Sequence, residues 1–216
     1  MSELTLDDVA RTYRRKAVLS GVSHSFTPGL TLLTGPSGAG KSTLLRLIAT
    51  AEKPSGGRIS WNGRALPAAR TELRRGLGYA PQAVDLPEDL TAREFAMHIA
   101  ALKGLALGVA DRQFAAITDR IGLHADINNR ISTFSGGMRR RLIFAQAMLG
   151  SPELLALDEP TAELDRETAG KVSALVLERA ADAIVVMTTH LADDLAGAAS
   201  HVLRVEGGAV APAAAA

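Results

Sequence analysis

The chain has 216 residues, 47% of them hydrophobic and 22% charged, and it contains no cysteine. It is long enough to bury a core and too apolar for a disordered tail, and disulfides, thiol chemistry and cysteine metal sites are excluded. Lys and Arg number 24 against 23 Asp and Glu, without the basic excess of a protein that grips nucleic acid by its phosphates, so no nucleic-acid partner is expected.

The opening, Met1 to Asp8, is acidic and lacks the apolar run of a secretory leader. Val18–Phe26 reads as a strand entering the turn Thr27-Pro28-Gly29, and Leu30–Thr34 as a short apolar run ending in a glycine loop. That loop is Gly35-Pro36-Ser37-Gly38-Ala39-Gly40-Lys41-Ser42, which satisfies G-x-x-x-x-G-K-[ST]. Glycines let backbone N–H groups turn inward and approach phosphate oxygens without a Cβ in the way. Lys41 sets a positive charge against the outer phosphates, Ser42 offers a hydroxyl to Mg²⁺, and Thr43–Ile48 continues as a helix whose N-terminus favours anions. Arg58–Trp61 then reads as a strand stopped by the turn Asn62-Gly63, and Leu77–Ala80 as another closed by Pro81.

From about residue 83 to 140 the pattern is helical. Thr91 with Glu94 three places on forms a capping box, and a second helix is expected over Arg112–Ile121, ending at Gly122. No apolar run there is long enough to span a membrane, since residues 95–110 are interrupted by Lys103. Ser135-Gly136-Gly137 precedes Leu142, Ala145 and Leu149 at helical spacing, a second glycine-opened helix N-terminus. Leu154–Leu157, Ile184–Met187 and His201–Val205 are continuous apolar runs separated by helix-like segments, as buried parallel strands are. The first ends in Asp158-Glu159, acids at the C-terminal end of a strand, where α/β sheets hold ligands. The tail from Ala209 to Ala216 is low-complexity and expected to fray.

In this order the motifs resemble the ATP-binding cassette ATPases, most diagnostically in Phe134-Ser135-Gly136-Gly137-Met138-Arg139-Arg140-Arg141, which lies where the family carries its signature, Ser135 standing 23 residues before Asp158. The resemblance implies an α/β fold with a P-loop NTPase (RecA-like) core, an N-terminal antiparallel β subdomain and an inserted α-helical subdomain. It implies one ATPase domain over residues 1–210, with core at about 1–82 and 141–210, the helical signature subdomain at about 83–140, and a frayed tail at 211–216. By the same resemblance Glu159 is the catalytic carboxylate, and His190 and Gln82 assist at the γ-phosphate and the attacking water. Ser42, Gln82 and Asp158 face Mg²⁺, and Tyr13 stacks on the adenine. Residues 35–43 hold ATP, and Ser135, Gly136 and Gly137 cover the ATP of a second subunit in a head-to-tail dimer. Two departures stand out: the signature has Phe134 and Met138 where Leu and Gln are usual, and Glu163 stands in the interface loop Ala162-Glu163-Leu164-Asp165 where a small residue is usual. Glu163 is expected to weaken ATP-driven closure, and Val84, Leu86 and the helix from Thr91 are either docking surface for a membrane-spanning subunit or, equally, subdomain core. The form of the motifs is most similar to bacterial drug, antibiotic and polysaccharide exporters, which implies a place at the cytoplasmic face of the membrane. Alternatives are a haem-exporter cassette of cytochrome c maturation, a soluble cassette acting on nucleic acid or ribosomes, and a P-loop kinase for a small substrate.

Overall fold

The computed structural model describes residues 2–83, 85–188 and 195–213. Among the described residues, ten strands and six α-helices form two sheets with helices between and around them. The first sheet is antiparallel: β2 (Lys16–Phe26), β1 (Leu4–Tyr13), β4 (Gly56–Trp61) and β5 (Arg64–Ala65), in that spatial order. The second has the order β10 (Ala209–Pro212), β9 (His201–Glu206), β3 (Gly29–Thr34), β8 (Ile184–Thr188), β7 (Leu154–Asp158), β6 (Leu77–Ala80). Its five strands from β9 to β6 run parallel, with β10 antiparallel at the edge.

The pleat of this sheet builds two cores. Every residue of β7 and β8 is buried, as expected for parallel strands covered on both faces. Leu155, Leu157, Val185 and Met187 point to one side, and Leu154, Ala156, Ile184 and Val186 to the other, the period-2 alternation of a strand. The first side packs on α3 (Ala92–Leu102), α4 (Leu107–Arg120), α5 (Gly136–Ala147) and α6 (Arg166–Ala180). The second packs on α1 (Lys41–Ile48) and the antiparallel sheet. Short α2 (Arg70–Arg75) buries Leu73 in that second core.

Three elements differ from the sequence expectation. β1 carries no clean alternation, because Asp8 takes φ 51° and the register slips between Leu6 and Val9, so the buried set jumps from Leu4 and Leu6 to Val9. α4 begins at Leu107, five residues before Arg112: its first turn holds Gly108, which reads as a break, yet Ala110 buries in line with Phe114 and Ile117. Residues 209–213 of the tail are paired rather than frayed, and residues 214–216, also expected to fray, lie outside the described residues. Ala209–Pro212 pair with Leu203–Glu206, and the N–H of Ala213 donates to the Val202 carbonyl at 2.8 Å. An edge strand tolerates this proline because its nitrogen is not needed for the ladder.

The capping box opening α3 is present: the Glu94 N–H donates to Thr91 Oγ1 at 3.1 Å and the Thr91 N–H to Glu94 Oε2 at 2.8 Å. At the other end of this helix Lys103 turns inward and donates its ammonium to the Leu149 carbonyl at 2.5 Å. Burial pushes its pKa down to about 8, while in the unfolded chain it titrates near ~10.4. Between these values the unfolded chain holds a proton that the folded chain has lost, so stability rises with pH across that window. Urea midpoints are expected to climb from pH 8 to 10 in the wild type and to climb less in Lys103→Met. No helix among the described residues is long and apolar enough to cross a membrane.

Candidate nucleotide site

The parallel register brings the chemistry to one edge. Leu33 on β3 pairs with Thr188 on β8, and Thr188 with Asp158 on β7. The glycine loop after β3, the acids after β7 and the end of β8 therefore share the C-terminal edge of the sheet, where such folds place ligands.

The loop's glycines serve different needs. Gly35 has φ 130°, and a Cβ there would lie 2.1 Å from the Val205 carbonyl oxygen, so β9 leaves no room for any side chain. Gly38, at φ 76°, has open space beside it and needs only the left-handed backbone. Lys41 Nζ donates to the carbonyls of Gly35 at 2.7 Å and Pro36 at 3.0 Å, closing the loop into a ring at the N-terminus of α1. A cleft of about 400 Å³ opens over this ring, lined by Ser37, Gly38, Gly40, Lys41, Ser42 and Thr43, with Val18, Arg46, Gln82 and Glu159 completing the wall. Gln82, which follows β6, thus meets Glu159, which follows β7, and its Nε2 donates to Glu159 Oε2 at 3.0 Å.

Asp158 is only 4% exposed, and its Oδ1 accepts a 2.6 Å bond from Thr188 Oγ1. Glu159 has φ 51°, and its N–H is held by the Thr188 carbonyl at 3.2 Å and Thr188 Oγ1 at 2.9 Å. Sequence reasoning gave Thr188 no role. Its only signal there is a hydroxyl residue closing an apolar strand run.

Tyr13 ends β1 outside the lining of the cleft. The Arg11 guanidinium lies 4.5 Å from the centre of its ring, and its hydroxyl donates to Glu52. Arg46, which does line the cleft, donates to Thr43 Oγ1 at 3.1 Å and pairs with Glu52 at 2.7 Å, so Tyr13 is tied to the loop through charged neighbours. His190 and Val84 lie outside the described residues. Leu86 is buried, as are Ala92, Ala96 and Ala100 of α3, so these residues are core rather than docking surface. The outer side of α3 lines an apolar crevice through Met97 and Ala101, joined by Leu107.

Ser135, Gly136 and Gly137 do not line the cleft. Ser135 caps α5, its hydroxyl accepting from the Met138 N–H at 3.3 Å, and Met138 packs against the core. Glu163 lies over this helix start: a Cβ on Gly136 would sit 2.7 Å from Glu163 Oε2. Glu163 takes φ 63°, the left-handed backbone that favours glycine. From the next turn of α5, Arg140 reaches Glu163 at 3.6 Å and donates to the Gln82 carbonyl at 2.5 Å. A continuous line of contacts thus joins Gly136, Glu163, Arg140, Gln82 and Glu159.

A phosphate-cradling ring between a central strand and a helix, with acids at the end of a nearby parallel strand, defines a P-loop NTPase. The family described as ABC transporter matches residues 19–162, and the chain belongs to that family. It is 33% identical over 214 residues to Nod factor export ATP-binding protein I of Rhizobium etli, covering 96% of this chain and 66% of that protein. It is 30% identical over 194 residues to linearmycin resistance ATP-binding protein LnrL of Bacillus subtilis, covering 89% of this chain and 62% of that protein. The chain thus spans just under two thirds of the length of these curated relatives. Among solved structures, the dimeric post-hydrolysis state of the ATP-binding cassette MJ0796 bound to ADP and Pi superposes with a TM-score of 0.86 at 26% identity, over 96% of each chain.

Proposed function

We propose that this chain is an ATP-hydrolysing cassette, residues 1–210 forming one ATPase domain, that drives export through a separate membrane-spanning subunit at the cytoplasmic face of the membrane. One observation carries the reading: Gln82 and Glu159 complete the wall of the loop cleft, while the signature glycines of the same chain stand outside it. A second copy, placed head to tail, supplies Ser135, Gly136 and Gly137 to that cleft, and the dimeric solved cassette supports such pairing. The names of the relatives, Nod factor export and linearmycin resistance, favour an exporter of the drug or antibiotic type.

In this reading Lys41 leaves its own carbonyls for the β- and γ-phosphates, and backbone N–H groups among residues 37–43 donate to the remaining oxygens. Glu159, aimed by its left-handed backbone, accepts hydrogen bonding from the attacking water, and Gln82 and His190 orient the water and the γ-phosphate. Tyr13 offers the adenine the ring face not covered by Arg11. The donor set of Ser42, Gln82 and Asp158 is all oxygen with a single carboxylate, which suits Mg²⁺, an ion that takes its other ligands from phosphate and water. When bound, it would supply positive charge that offsets the phosphate charge in the cleft. The outer side of α3, with Met97 and Ala101, is the face offered to the membrane subunit. Co-purification with a membrane protein, together with ATP-dependent dimerisation, tests the assignment.

Glu163 sets a carboxylate where the partner's triphosphate is to arrive. In the hydrolysis-arrested Glu159→Gln chain, adding Glu163→Gln is expected to lower the ATP concentration for half-dimerisation by about two- to fivefold, the weight of a partly exposed charge contact. Light scattering across an ATP titration reads it directly.

A further inference from the structure

We propose that Thr188 is a positioning residue for hydrolysis, holding Asp158 and Glu159 in their working geometry through a single hydroxyl. The inference rests on the proposed ATPase reading of this site.

Thr188 is 1% exposed at the last position of β8, level with Asp158 on the neighbouring strand. Its hydroxyl touches both acids' residues: Oγ1 lies 2.6 Å from Asp158 Oδ1 and 2.9 Å from the Glu159 backbone nitrogen. The direction of each bond follows from the groups. An N–H can only donate, so the hydroxyl accepts from Glu159, and an ionised carboxylate can only accept, so the hydroxyl proton goes to Asp158. One side chain thus links the two residues in a fixed donor order, and the short bond to the carboxylate is charge-assisted.

Two consequences follow for the chemistry. The bond occupies one lone-pair site of Asp158 Oδ1 and restrains rotation of the carboxylate, which would offer its remaining sites to a cation, or to water on it, from a restrained position. A buried partner that orients a metal-facing carboxylate sets how well the metal is held. Glu159 carries φ 51°, a backbone a non-glycine residue keeps only when its surroundings enforce it. Its N–H is gripped by both the carbonyl and the hydroxyl of Thr188, so the aim of the Glu159 side chain depends on this residue. Valine has the same shape as threonine and lacks the hydroxyl, which separates hydrogen bonding from packing.

The test compares wild type, Thr188→Val, Thr188→Ser and Glu159→Gln as full chains. It measures kcat and KM for MgATP, and the affinity of the fluorescent nucleotide mant-ATP in Mg²⁺ and in EDTA. In Thr188→Val, kcat is expected to fall about 10–100-fold. Its mant-ATP affinity in EDTA should stay within about twofold, while the gain on adding Mg²⁺ shrinks about fivefold or more. Thr188→Ser should restore both the rate and the Mg²⁺ gain. The proposal is overturned if Thr188→Val melts earlier yet keeps its kcat and Mg²⁺ gain, or if Thr188→Ser behaves like Thr188→Val. Should Thr188→Val fail to fold, Thr188→Ala is read by the same two criteria. Wild-type hydrolysis in Glu159→Gln would instead remove the ATPase reading of the site, and the role of Thr188 with it.

Discussion

Glu159→Gln is expected to slow steady-state ATP hydrolysis by about 10²–10⁴-fold, with ATP affinity held within about threefold. The substitution keeps the size of the side chain and an oxygen that can still accept from Gln82 Nε2, 3.0 Å away. It removes the charge that, in the proposed mechanism, draws the proton of the attacking water as the P–O bond breaks, an expected barrier increase of about 3–5 kcal/mol. In the proposed reading, binding falls to the opposite wall, to Lys41, Ser42 and the loop N–H groups, so the loss is expected in kcat. The arrested chain is therefore also the form in which dimerisation on ATP is seen best. A phosphate-release assay beside an equilibrium titration checks both halves, and an undiminished rate removes Glu159 from its role.

Lys41→Ala acts on the other half of the cycle. Among the described residues the ammonium donates to the carbonyls of Gly35 and Pro36, and in the proposed reading it exchanges both for phosphate oxygens when nucleotide enters. Charge-assisted bonds to a triphosphate contribute about 1.5–3 kcal/mol each, so removing the side chain should weaken ATP binding by about 10²-fold or more. Leucines 44, 45 and 47 keep α1 seated in its core whatever stands at position 41, and the nucleotide-free variant should melt close to the wild type. Calorimetric titration with ATP is the direct measurement, and unchanged affinity would contradict the assignment. The two variants give opposite signatures, one binding without turnover and the other failing to bind.

The sequence by itself determined the glycine loop, the acids Asp158 and Glu159, the capping box at Thr91 and the apolar strand runs. Each is specified by residues close together in the chain: a turn needs its glycines in order, a cap needs its partner three positions on, and a strand buried on both faces needs an unbroken apolar run. The family could be recognised because these local signals occur in a set order. β1 was not legible, since the bulge at Asp8 breaks the alternation that marks a strand, and neither was β10, whose alanines say little until β9 is there to pair with. Only the tertiary structure decided that Leu86 is core, that Glu163 rests on Gly136 and that Arg140 joins Glu163 to the Gln82 loop. It also brought Thr188, 30 residues from Asp158 in the chain, within 2.6 Å of its carboxylate. The physical reason is register: which side chains of two parallel strands stand level is set by how the whole sheet packs, and no short stretch of sequence contains that information.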